Sequence, residues 1–187
     1  MESIDRRSLT TASMITIIFA TSTGKTEDIA QRLASLLGCP TELCDVDSLS
    51  SAQDFSRADA MICCVPTWNT GADSCRSGTA WDSYVETIPE LNLAGRPVAI
   101  LGLGDSSSYS DYFCDAMEEL HSAFQKTGAR IVGAVPTAGY TFTASRSVIQ
   151  GRFCGLPIDE DSEPDRTDER LRAWAAQLNR EMVALLT

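Results

Sequence analysis

The hexapeptide Thr21-Ser22-Thr23-Gly24-Lys25-Thr26 concentrates anion-binding chemistry in one short loop. It follows an apolar run and opens a helix-like pattern. Helix-forming amides there point outward and the helix dipole favours negative charge. A capped turn needs one Ser or Thr, whereas Thr21, Ser22, Thr23 and Thr26 supply four hydroxyls. Gly24-Lys25-Thr26 is reminiscent of a nucleoside-triphosphate loop, but that pattern requires glycine five residues before Gly24, where Phe19 stands. The acidic residues of a response-regulator site are missing from Phe19-Ala20-Thr21, and G-x-G-x-x-G is absent from this turn. A monophosphate held by hydroxyls and amides remains.

Two further segments carry aromatic and polar side chains in loops. Val65-Pro66-Thr67-Trp68-Asn69-Thr70-Gly71 follows a buried-strand pattern. A tryptophan so placed usually packs in a core, but Pro66 and Asn69-Thr70-Gly71 set Trp68 in a turn. Gly102-Leu103-Gly104-Asp105 and Tyr109-Ser110-Asp111-Tyr112-Phe113 form the other segment. Tyr109 alone carries little weight, since exposed tyrosines in polar loops are common. Trp81 and Trp174 are assigned to packing. The seven cysteines are odd in number and lack C-x2-C spacing. Cys39 and Cys44 have the first gap of a plant-type iron–sulfur run, but Asp47 stands where its next cysteine belongs. Zinc is disfavoured because His121 is the lone histidine. Free thiols in a reducing compartment, Cys63 and Cys64 within a strand, are the simpler reading.

The elements that must position these groups alternate. Met14–Ala20, Ala60–Val65 and Pro97–Leu103 are continuous apolar runs, the pattern of strands covered on both faces. Thr41–Asp45 is a shorter strand; Arg130–Val135 starts a last one, which Leu156–Asp159 continues after an interruption of about twenty residues. Helices are expected over Lys25–Leu37, Asp111–Thr127 and Arg166–Leu186, and a solvated acidic loop over Asp159–Asp168. Strands alternating with helices predict an α/β fold: a doubly wound five-stranded parallel sheet of order 2-1-3-4-5, with the ligand beyond strands 1 and 3.

The chain has 187 residues, enough for one domain. Residues 1–13 read as a short tail or the remnant of a removed transit segment, and 14–187 as the single domain. The longest apolar runs are strand-sized, so no membrane insertion is expected. A net charge of −11 disfavours nucleic acid and suits basic protein partners.

Together the segments closely resemble long-chain flavodoxins. Phe19 to Glu27 resembles the phosphate loop of that family, Val65 to Gly71 its tryptophan loop, and Gly102 to Asp105 with Tyr109 to Phe113 its second flavin loop. Gly151 to Asp161 resembles the end of the insertion that splits the last strand, and Trp68 to Trp81 is similar to algal and cyanobacterial members. The resemblance implies FMN as cofactor and one-electron transfer as function. Thr21, Ser22, Thr23, Lys25 and Thr26, with the Gly24 amide, would hold the phosphate. Trp68 would cover the inner flavin face and Tyr109 the outer. Pro66, Thr67, Asn69, Thr70 and Gly71 would line the ring, the Asn69–Thr70 peptide beside N5. Gly102, Leu103, Gly104, Asp105, Asp111, Tyr112 and Phe113 would complete the site. Many relatives have glycine at the Asn69 position and glutamine after Asp105, where this chain has Ser106-Ser107-Ser108. Asp105 is either a tuning charge or a turn residue.

Acidic surroundings and electron-rich rings oppose added negative charge, which sets the second one-electron step at low potential. The resemblance further implies a monomer that shuttles electrons between basic partners, such as photosystem I and ferredoxin–NADP reductase, in cytoplasm or plastid stroma. The alternatives are an FMN-dependent NAD(P)H reductase of the same fold, which Tyr109 on the outer face would obstruct, and a non-redox binding module.

Overall fold

A computed structural model describes residues 13–182; the tail expected at 1–13 falls, except for Ser13, outside the described residues. The strands are β1 (Ile15–Phe19), β2 (Thr41–Asp45), β3 (Ala60–Pro66), β4 (Pro97–Leu103), β5 (Arg130–Val132), β6 (Val135–Pro136), β7 (Val148–Ile149), β8 (Arg152–Phe153) and β9 (Leu156–Ile158). The α-helices are α1 (Lys25–Leu36), α2 (Ala116–Lys126) and α3 (Pro164–Glu181). The main sheet runs β2-β1-β3-β4-β5, all parallel, in the expected order. Every residue of β3 and β4 is buried, as their unbroken apolar sequences require.

The fifth strand is split. Pro97–Ala99 of β4 pair with β5, and Leu101–Leu103 pair with β9. Gly133, at φ +85°, ends β5 two residues before the expected Val135, which instead begins β6. Between the halves, β6-β8-β7 form a small antiparallel sheet around a Phe113, Tyr140, Phe142 and Phe153 cluster. Where β9 rejoins, a Cβ on Gly155 would stand 2.0 Å from the Ile100 carbonyl oxygen, so the close approach needs glycine.

Right-handed crossovers put α1 and α2 on opposite faces, because β1 leads to one edge of the sheet and β4 to the other. α3 joins α1 on its face. The β2–β3 and β3–β4 connections contain 3-10 turns instead of α-helices. Aromatic packing fills their side: Phe55 stacks on Trp81 at 5.7 Å and meets Tyr84 and Phe124 edge-on. Trp81 and Trp174 are buried, as their assignment to packing required, and their indole N–H groups donate to the Cys64 and Gly133 carbonyls.

Three boundaries differ from expectation. The helix expected from Asp111 starts at Ala116, because Ser110–Tyr112 form a separate turn and Cys114 adopts φ +54°. The last helix starts at Pro164, whose missing N–H is harmless in a first turn; its expected end at Leu186 falls outside the described residues. The Asp159–Asp168 stretch is largely exposed, as expected, but it is a loop only as far as Glu163, α3 taking the rest, and its first residue turns inward. Asp159 is fully buried, and its carboxylate accepts from the amides of Ser106, Asp161 and Ser162.

Candidate functional site

The hydroxyl loop turns from β1 into α1 around Gly24, whose φ of +86° suits glycine. Its amide donates to Thr21 Oγ1 at 2.9 Å, so this pair shapes the loop from within. Ser22, Thr23 and Lys25 are exposed and Thr26 is buried. The first amides of α1 have no intrahelical acceptor, and they open where these side chains gather.

A cleft of about 230 Å³ begins there, lined by Ser22, Thr23, Lys25 and Thr26 at one end and by Pro66, Thr67, Trp68, Leu103, Gly104, Asp105 and Tyr109 beyond. All of these were named from sequence. Trp68 and Tyr109 are each 50% exposed, against 0% for Trp81. Large rings left half in solvent at the carboxyl ends of β3 and β4 offer faces for a planar ligand. Thr67 fastens this wall, its amide donating to the Leu103 carbonyl and its hydroxyl accepting from the Ala116 amide.

Behind Trp68 runs a backing stretch, Cys75 to Gly78, that forms a turn. The Trp68 and Asn69 amides donate to the carbonyls of Ser77 and Arg76, at 3.3 and 3.1 Å. A Cβ on Gly78 would stand 2.8 Å from that of Trp68, so the backing stretch needs glycine there. Asn69 Nδ2 donates to the Cys75 carbonyl at 2.6 Å. The Asn69 carbonyl accepts from the Ala72 amide at 3.2 Å, closing a turn whose Gly71 has φ +78°. Tyr112 packs on that turn, its Cζ 3.3 Å from where a Gly71 Cβ would be.

The opposite wall is tied down by carboxylates. Asp105 Oδ1 accepts from the Ser107 and Ser108 amides and the Ser162 hydroxyl. Burial pushes this carboxyl up, but the hydrogen bonds from Ser108, Ser162 and Ser107 outweigh it and hold the group below its ordinary range. Ser106 donates through both amide and hydroxyl to Asp159, at 2.9 and 2.6 Å. The Ser106-Ser107-Ser108 run is therefore an anchored turn, and Asp105 is a turn residue that keeps its charge.

Some named residues lie off the cleft lining. Thr21, Gly24, Asn69 and Gly71 shape it from behind, and Thr70 lies within the same turn. Gly102 lies within β4, its missing side chain leaving room for Met117. Phe113 is buried in the aromatic cluster of the insertion, and Asp111 and Tyr112 are exposed outside the cleft. Asp161, not foreseen from sequence, lines the cleft and pairs with Lys25 at 2.5 Å. Its signal was the acidic run after β9, where carboxylates follow a strand's carboxyl end. Among the described residues no group of three or more His, Cys, Asp or Glu is placed to hold a metal, and the seven cysteines are free. No helix among the described residues is long and apolar enough to cross a membrane.

The flavodoxin family profile matches residues 17–174. The chain is 38% identical to the flavodoxin of Klebsiella pneumoniae over 173 residues, 91% of this chain and 95% of the relative. It is 37% identical to a flavodoxin of Picosynechococcus over 170 residues, 89% and 96% of the two chains. Among solved structures, a point mutant of Fusobacterium nucleatum flavodoxin bound to flavin mononucleotide superposes with a TM-score of 0.82 at 25% identity, over 91% of this chain and 98% of the other. Flavodoxin 2 of Bacillus cereus, at 22% identity and a TM-score of 0.66, covers 90% and 99% and shares the fold.

Proposed function

The chain belongs to the flavodoxin family, and we propose how its own residues serve the work of that family. It is an FMN-binding electron carrier rather than an enzyme, and it exchanges electrons with redox partner proteins. Bound FMN supplies the one-electron chemistry.

The observation that carries the residue assignment is the cleft itself: a hydroxyl-rich helix N-terminus at one end and two half-exposed rings at the other. The donor set fits the cofactor. Ser22, Thr23, Thr26 and the first amides of α1 suit a phosphate, and Lys25, paired with Asp161 in this structure, would serve as its counter-charge by exchanging that carboxylate for the phosphate. Thr21 shapes that loop through the Gly24 amide. Trp68 and Tyr109 hold the ring between aromatic faces and exclude water from it. Each stacked face contributes on the order of 1–3 kcal/mol, by analogy with nucleobases on aromatic side chains. Backbone around Leu103 to Asp105 would face the ring edge, and the Asn69–Thr70 peptide would stand beside it. The ionised Asp105 opposes further negative charge on the cofactor, which lowers the second reduction step.

The partners we propose are basic faces of oxidoreductases, ferredoxin–NADP reductase and photosystem I among them. A net charge of −11 speeds such encounters. Seven free cysteines suit a reducing compartment, cytoplasm or plastid stroma. We assign the carrier to a monomer.

Titration of FMN and riboflavin by fluorescence quenching tests the assignment. Ser22→Ala/Thr23→Ala should weaken FMN and leave riboflavin, which lacks the phosphate, unchanged. Equal loss for both ligands would remove these residues from the phosphate site.

A further inference from the structure

The turn that carries Trp68 and Asn69 is braced by one buried arginine. Arg76 is 5% exposed and lies behind the cleft, off its lining. Its carbonyl accepts from the Asn69 amide, and its own amide donates to Glu119 Oε2 at 2.8 Å. Its guanidinium donates from Nη1 to the Asp115 carbonyl and to Glu118 Oε2, both at 2.9 Å, and from Nη2 to the Asp73 carbonyl at 3.4 Å. A single residue thus connects the backing stretch of the tryptophan turn to the first turn of α2 and to the turn's far end.

A buried ion pair is a poor source of stability, since desolvation offsets much of its attraction. Its better-attested use is to select one geometry among near-equal alternatives. The surroundings of Arg76 fit that use. Glu118 Oε1 accepts from the Ser122 hydroxyl, which fixes the carboxylate that Arg76 meets. Asp115 Oδ1 is held by the Arg146 amide at 2.7 Å, and Asp115 meets the Arg76 guanidinium through its backbone carbonyl. Each acceptor has one place, and together they leave Arg76 one orientation. Within itself the segment between Asn69 and Arg76 is held by two short-range contacts, Asn69 Nδ2 to Cys75 and Ala72 to Asn69, and outside Arg76 its anchors lie at the surface: the Tyr112 ring on Gly71 and the Asp73–Arg146 pair at 3.4 Å.

We propose that Arg76 is a positioning residue for the flavin site: its clasp on Glu118, Glu119 and the Asp115 carbonyl sets where Trp68 and the Asn69–Thr70 peptide stand against the ring. Arg76 touches no cofactor and acts through the turn. The inference rests on the FMN-carrier reading above.

The test uses the full chain with FMN. Dissociation constants and both one-electron midpoint potentials are measured for the wild type, Arg76→Gln, Arg76→Lys and Glu118→Gln. Glu118→Gln keeps the side-chain volume and removes only the charge that the guanidinium meets, so it reports on the clasp even where Arg76→Gln fails to fold. Arg57→Gln, which loses an exposed pair with Asp54, is the control. The clasp predicts that Arg76→Gln and Glu118→Gln weaken FMN about tenfold, the factor that 1.4 kcal/mol represents. It also predicts that they change the separation of the two potentials, that Arg76→Lys restores part of both, and that Arg57→Gln alters neither. A drop in melting temperature with the affinity and the separation unchanged would make Arg76 a structural residue only and overturn the proposal. A wild-type chain that binds no FMN would overturn the carrier reading, and this one with it.

Discussion

Replacing Asn69 by glycine tests how the turn beside the ring governs the cofactor. The Asn69 carbonyl has two places to go. In this structure it accepts from the Ala72 amide at 3.2 Å. Turned outward, it would accept from the flavin N5–H once the cofactor has gained an electron and a proton. The first arrangement is reinforced by Asn69 Nδ2 on the Cys75 carbonyl at 2.6 Å, a bond that glycine cannot make. Such a bond contributes about 1 kcal/mol net. Glycine also tolerates either peptide orientation without a Cβ penalty. Asn69→Gly should therefore ease the outward turn by about 1 kcal/mol. One-electron potentials move 59 mV per tenfold change, so the two potentials should separate by about 40 mV more than in the wild type. Anaerobic spectroelectrochemistry of the FMN-loaded protein reads this directly. An unchanged or narrowed separation would refute the reasoning and leave the Asn69–Cys75 bond without influence on reduction.

Thiol labelling separates the cysteines by burial. Burial pushes the Cys64 and Cys154 thiols up to about 12, and Cys63 and Cys114 are raised by the same cause. The native chain should label at Cys75 first and at Cys39 and Cys44 more slowly, with those four protected until urea unfolds it; native labelling of Cys63 or Cys64 would contradict the buried β3. Acid should destabilise the fold. Asp54, Asp105, Glu118 and Asp168 are held below their ordinary range, so their stabilisation is present at neutral pH and is lost as pH falls through their folded values. Asp115, raised chiefly by burial, runs the other way, one group against four. The urea midpoint should fall between about pH 5 and pH 3, and a midpoint that rises there would reverse the assignment. Burial also lowers His121, which therefore favours folding at pH above its ordinary value and costs stability as pH falls through it. His121→Gln should flatten the urea midpoint between about pH 7 and pH 5.5; an unchanged slope would show that His121 does not titrate differently in the fold. Trp81→Ala should cost about 3–5 kcal/mol, read by urea unfolding, because it empties a fully buried site and removes the indole hydrogen bond to the Cys64 carbonyl; a loss under 1 kcal/mol would mean the aromatic cluster re-closes.

The sheet order was legible because β3 and β4 are unbroken apolar runs, and the hydroxyl loop because four hydroxyls exceed what a cap requires. Trp68 could be told from Trp81 and Trp174 by its turn residues, and the exposures agree. What escaped were contacts between segments distant in sequence. Asp159 lies 53 residues from Ser106 and Lys25 lies 136 from Asp161, and nothing local marks either pair. Arg76 reads as one more exposed basic residue until α2 is folded against it. Helix starts shifted where Cys114 took a left-handed conformation, which a side-chain pattern does not encode. Phe113, named for the site through its neighbours in a motif, went instead to the core that the insertion builds.

The central claim is one-electron carriage by an FMN held between Trp68 and Tyr109. Its most direct test is an anaerobic photoreduction of the FMN-loaded chain followed in the visible spectrum, with NADPH alone added to a fresh oxidised sample. Two resolved one-electron steps and no bleaching by NADPH are predicted. A single two-electron bleaching by NADPH would contradict the account and require Tyr109 to leave the outer face open to a nicotinamide.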